Sequence, residues 1–143
     1  MGFALKFNML DVVVDNSLKN IYINGNKTGF QFDIRLDYYR GHFLSVIDRF
    51  EVTVDDEKVE EQDITFCLNG KEFGVCQLES CYTEFWNIMD HATIKVNRAN
   101  GLDEGDHKID VTLIFRSPYM SIGPNHQYMP VDSCGSKTLS IVG

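Results

Sequence analysis

From Phe30 to Tyr38 the chain alternates strictly, with Phe30, Phe32, Ile34, Leu36 and Tyr38 interleaved with Gln31, Asp33, Arg35 and Asp37. A two-residue period puts every apolar side chain on one face, so this segment predicts a half-buried antiparallel strand. Shorter runs repeat the pattern at Phe50–Val54, Ile64–Leu68, Ala92–Val96, Ile109–Phe115 and Leu139–Ile141. Leu10–Val14 and Ile21–Ile23 predict two further strands near the start. Between them lie turn residues: Asn24 to Gly29, Asp55 to Lys58, Asn69-Gly70, and a wider connection from Asn100 to Asp106. No stretch of a dozen residues keeps a helical period, and a single helical turn is expected only at Glu84–Met89. Short strands punctuated in this way predict an all-β, antiparallel β-sandwich of immunoglobulin/fibronectin-like type, with one domain over residues 1–143.

One run breaks the pattern. Ser117 to Ser136 holds all three prolines and shows neither period, which predicts a long loop. Tyr119, Met120, Ile122, Tyr128, Met129 and Val131 make it too apolar for a solvated linker. Tyr, Met and Pro on a small β-domain suit a surface that docks onto a partner, or a flap folded over the open end of its own core.

Charge narrows the partner. With 21 acidic and 13 basic residues the net charge is −8, and no Lys/Arg cluster offers a footprint for nucleic acid or an anionic membrane. No apolar run has the length of a transmembrane helix. The N-terminal MGFALKFNML lacks a signal-peptide pattern, so a cytoplasmic location is expected, with Cys67, Cys76, Cys81 and Cys134 as reduced thiols. Cys76-x4-Cys81 has the wrong spacing for a zinc knuckle, and no metal constellation is expected in this chain.

Catalytic groups are equally sparse. The acidic stretch Asp55–Asp63 falls on a hairpin tip and reads as solvated surface rather than an acid–base pair. His107 opens a strand, a structural place, while His126 in the long run is the better candidate for touching a ligand or partner. Trp86 suits a core or interface anchor better than a sugar platform. Tyr38-Tyr39-Arg40-Gly41 ends the best strand: Tyr38 continues the inward set, Tyr39 faces out, and Arg40 adds a planar five-donor head. Outward Tyr beside Arg is hot-spot chemistry, and Arg116 offers a second such head before the long run.

These residues carry a resemblance. Gly29-Phe30-x-Phe32-Asp33-x-Arg35-x-x-Tyr38-Tyr39-Arg40-Gly41 with Leu44-Ser45-x-Ile47 resembles the small β subunit of bacterial C-glycoside deglycosidases. So do Val52-x-Val54-Asp55, Gly101-Leu102-x-x-Gly105-x-His107-x-Ile109-x-Val111, Arg116 and Tyr119, over roughly Val12 to Val142. The resemblance implies a β-sandwich bound to a larger TIM-barrel α subunit, in a higher-order hetero-oligomer, with the divalent metal, manganese, in that partner and no cofactor in this chain. It implies a lyase acting on 3-oxo-C-glucosides of aromatic aglycones such as flavonoids. The 3-keto group acidifies the C2 proton, a base removes it, and the aryl carbon leaves protonated. No residue of this chain is expected to be catalytic. Tyr38, Tyr39, Arg40, Arg116, Tyr119, His126 and Tyr128 are the expected contact zone, helping to close the partner's active site. Two alternatives stand beside this: a stand-alone carbohydrate- or protein-binding module, and an enzyme in its own right using His126 and a carboxylate.

Overall fold

Phe30, Phe32 and Ile34 do share one face, each wholly buried, and Ala92, Ile94 and Val96 line up beside them on the paired strand. The computed structural model describes residues 11–36, 41–122 and 127–141. In chain order its strands are β1 (Lys19–Ile23), β2 (Asn26–Ile34), β3 (His42–Phe43), β4 (Ile47–Val54), β5 (Glu57–Lys58), β6 (Ile64–Leu68), β7 (Lys71–Gly74), β8 (Phe85–Trp86), β9 (Ala92–Asn97), β10 (Asp106–Ile122), β11 (Gln127–Asp132) and β12 (Gly135–Ser140). Short 3-10 turns occur at Leu44–Val46, Glu61–Asp63 and Val75–Ser80.

One antiparallel sheet runs β1-β2-β9-β6-β7 and the other runs β11-β10-β4-β5, with β12 also on β10. Their inner faces meet in one core. Phe50 of β4 packs edge-on against Phe66 of β6, ring centroids 5.3 Å apart, and Phe66 meets Trp86 at 5.4 Å. Each such pair adds about 0.5–1.5 kcal/mol beyond the area it buries. The turns at Asn24-Gly25, Asp55-Asp56 and Asn69-Gly70 have positive φ at both central positions, as two-residue hairpins require.

The two sheets are clasped at one edge by the segment after Asp11. Val13 bridges to Ile34, and Ser17 Oγ accepts the Asp33 N–H at 3.0 Å where the ladder is interrupted. Val12 lies so close to Gly135 that a Cβ there would sit 2.7 Å from the valine's own Cβ. Lys137 then reaches Asp11 at 2.9 Å and Asp15 at 2.8 Å, which depresses the Asp11 carboxyl pKa through the lysine hydrogen bond.

The expected all-β antiparallel sandwich is therefore present, but several local expectations are corrected. Ser117–Ser136 is not an irregular loop. It contains the end of β10, β11 and the start of β12. From Val111↔Gly135 through Ile114↔Asp132 to Ser117↔Met129 the register is constant, so β11 and β12 are one nearly continuous partner of β10. Ser133, whose N–H donates to the Leu113 carbonyl at 2.8 Å, carries the ladder across the gap. The register shifts between Ser117 and Ser121, a bulge that takes in Pro118, and Pro130 sits on an edge strand where its missing N–H is tolerated. The bulge and the prolines erased the alternation. Glu84–Met89 forms no helical turn; its Phe85–Trp86 is β8, paired with His42–Phe43. The first hairpin turn is only Asn24-Gly25, because Asn26 already starts β2. Of Leu10–Val14 only the Val13 bridge is strand-like, and Leu10 lies outside the described residues.

Candidate partner interface

At the end of the sandwich where β10 leaves β4, three pieces of chain converge. The β4 ladder reaches only Phe115↔Ile47, whereas β10 continues to Ile122. From Arg116 to Ile122, β10 pairs only with β11 among the described residues, so this part of the hairpin is a two-stranded arm of the sheet. Two strands alone are marginal in water, which makes such an arm a natural docking element.

The base of the arm is pinned to the β3–β8 ribbon. His42, buried on β3, lies with its ring 4.7 Å from that of Phe115. Arg116 Nε reaches Asp48 Oδ1 at 2.8 Å, and its Nη2 donates to the Ser45 carbonyl at 3.4 Å. Gly41 enters the ribbon so tightly that a Cβ would lie 2.4 Å from the Trp86 carbonyl oxygen and 2.7 Å from the Phe85 ring. Trp86 is buried and donates Nε1–H to the Asp90 carbonyl at 2.9 Å, which locks the connection behind β8. Glu84 accepts from Lys71 and, at 3.4 Å, from Asn69; the lysine hydrogen bond lowers its carboxyl pKa.

The ribbon shows an apolar outer side. Phe43 is 42% exposed and meets the half-buried Phe85 edge-on at 5.0 Å; Tyr82 at 72% and Met89 at 85% flank β8 in sequence. Aromatic and Met side chains left in water next to an arm are the composition of an interface core.

Of the expected contact residues, Arg116 lies at the base of this arm. Tyr119 falls in β10 and Tyr128 in β11, opposite Ser121, so both belong to the arm's backbone. Tyr38, Tyr39, Arg40 and His126 lie outside the described residues. Sequence reasoning missed Phe43, Tyr82, Phe85 and Met89. They sit in two-residue strands and connections too short to show a period, although a cluster of large apolar residues with no periodicity was itself a usable sign. Trp86 is a core anchor, and His107 occupies a structural place at the opposite end of β10. Cys67, Cys76 and Cys81 are free thiols, with burial raising the pKa of Cys67 and Cys81. Among the described residues, no three His, Cys, Asp or Glu side chains come together in a group that would hold a metal ion. Among the same residues, no helix is long and apolar enough to cross a membrane.

The class of protein this defines is an all-β sandwich with an aromatic end and a two-stranded arm. The profile of one protein family, described as C-glycoside deglycosidase beta subunit, matches residues 9–119. The chain belongs to that family. It is 38% identical over 97 residues to the C-glycoside deglycosidase beta subunit of Eubacterium cellulosolvens, covering 68% of this chain and 66% of that one. It is 29% identical over 111 residues to the 3'-dehydrocarminate deglycosidase beta subunit of a Microbacterium species, covering 78% and 80%. A C-glycoside deglycosidase beta subunit of Arthrobacter globiformis matches at 26% over 97 residues, 67% and 74%. The family match ends at Tyr119 rather than near Val142, leaving His126 and Tyr128 beyond it.

Proposed function

We propose that this chain is the small subunit of a heteromeric carbon–carbon lyase that cleaves the C-glycosidic bond of 3-oxo-C-glucosides of aromatic aglycones, flavonoids among them. The reading assigns the reacting groups and the divalent metal, manganese, to a larger TIM-barrel subunit in a cytoplasmic hetero-oligomer, and leaves the isolated chain inactive. What this chain contributes is shape: the arm from Arg116 onward and the ribbon of Phe43 and Phe85 rest on the partner, support it and help close its active-site mouth. Membership of the beta subunit family supports the partnership.

The observation that carries the structural part is the pinning of the arm's base by Arg116 to Asp48 and by Phe115 to His42, beside exposed Phe43. A pre-ordered arm loses less entropy on docking than a free loop would. The test is to express the large subunit alone and with this chain, and to follow release of free aglycone. Activity is expected only from the pair; full activity of the large subunit alone overturns the reading.

A further inference from the structure

A second surface lies beside the arm, in a cleft of about 640 Å³ between β4, the Val59–Glu61 connection and the Val75–Ser80 turn. Its floor is apolar, with Phe50, Ile64 and Leu78 buried beneath half-buried Val59 and Val75. Its walls are acidic. The two cations that line it are already engaged, Arg49 holding Glu51 through two hydrogen bonds of 2.9 and 3.2 Å and Lys58 reaching the same carboxylate at 3.7 Å. Asp48 is taken by Arg116. Glu60, Glu61 and Glu79 remain, exposed and without an ion pair among the described residues.

One wall is also an open sheet edge. The Asp55 N–H donates to the Lys108 carbonyl, and the Val59 N–H donates to the Val52 carbonyl. By antiparallel alternation, odd residues of β4 bond toward β10 and even residues toward β5. β5 pairs only with Thr53 and Val54, and the chain then turns away at Glu61–Asp63. The backbone N–H and C=O of Phe50 therefore point into the cleft, on an edge that no strand covers among the described residues. Unpaired edges of this kind accept an added strand.

We propose that this cleft takes an extended, lysine- or arginine-bearing segment of the partner subunit, added as a short strand along β4 at Phe50. Alternate side chains of such a segment drop onto the Ile64–Leu78 floor, while the others carry positive charge to Glu60, Glu61 and Glu79. The net charge of −8 favours the same occupant at longer range. Because Asp48 belongs both to the cleft and to the base of the arm, one partner reaches both surfaces. The identity of the partner rests on the function proposed above; the chemistry of the cleft does not.

The test uses fluorescence anisotropy of the isolated chain with a labelled pentapeptide of alternating lysine and valine. Binding is expected, weakening at least tenfold in the E60K/E61K/E79K variant and on raising salt, and absent for the glutamate–valine analogue. The large subunit, added unlabelled, is expected to displace the peptide. No binding, equal binding by the analogue or the variant, or no displacement by a large subunit that does co-purify with this chain overturns the inference. A large subunit that never co-purifies with this chain overturns the proposed function instead, and the peptide result is read independently of it.

Discussion

His107 and Asp55 are joined by a 2.6 Å contact between Nδ1 and Oδ2, while the same ring's Nε2 lies 2.7 Å from the Asp103 carbonyl. A carbonyl only accepts, so Nε2 must carry a proton, and Nδ1 facing a carboxylate favours a second. Burial pulls the imidazole pKa down, but the hydrogen bonds to Asp55 and Asp103 outweigh it and the net shift is upward. Asp55 is lowered, chiefly by its bond to His107. The raised histidine contributes stability that is full below its unfolded pKa and lost as pH rises through the folded one. The lowered aspartate contributes above its unfolded pKa and loses this as pH falls through its folded value. Stability from the pair is therefore greatest between about pH 4 and 6.5. Thermal melts from pH 6 to 8.5 are expected to fall by about 3 °C, a pair whose aspartate is half exposed being worth about 1 kcal/mol. His107→Gln should flatten that slope; an unchanged slope counts against the assignment.

Gly41 bears on both fold and interface. Gly41→Ala forces a methyl against the Trp86 carbonyl and the Phe85 ring. We expect a loss of about 1–3 kcal/mol in urea denaturation, together with weaker association with the large subunit in size-exclusion chromatography. Unaltered stability would show that the close approach is not required.

Arg116 and Asp48 are both substantially exposed, at 49% and 41%. Their pair should add less than about 1 kcal/mol to the isolated chain. Arg116→Ala and Asp48→Ala are therefore expected to leave the melting temperature nearly unchanged while weakening complex formation at least tenfold, measured by titration calorimetry. Equal losses in stability and association would reduce the pair to a structural one.

Much of this architecture was legible because strands with one dry face announce themselves. Phe50–Val54, Ile64–Leu68, Ala92–Val96 and Ile109–Phe115 were read correctly, since each buries alternate side chains; of the strand expected over Phe30–Tyr38, only Phe30–Ile34 is strand, Arg35 and Leu36 having left it and Asp37 and Tyr38 lying outside the described residues. The arm was not legible as strand. Its pairing is backbone chemistry, and a bulge at Pro118 with an edge proline at Pro130 hides it from a side-chain pattern. β3 and β8 escaped because two residues hold no period. The cleft was invisible for another reason: Phe50, Glu60 and Glu79 meet only in three dimensions.

Trp86 offers a check on the core. Trp86→Phe removes the Nε1–H bond to Asp90 and some volume, and should cost about 1–3 kcal/mol; Trp86→Ala should cost about 3–5 kcal/mol. Since it is the single tryptophan, unfolding of both variants is followed by far-ultraviolet circular dichroism. A loss under 1 kcal/mol for the alanine variant would place the side chain outside the cooperative core.

The clasp of Lys137 on Asp11 and Asp15, with Val12 against Gly135, dictates an order of events during synthesis. Until Lys137 has emerged from the ribosome, β10 lacks the neighbour along its outer edge, and the early segment, bridged to β2, has no second sheet to close upon. Sealing waits on contacts far apart in the chain, which is slow and leaves a sticky border bare.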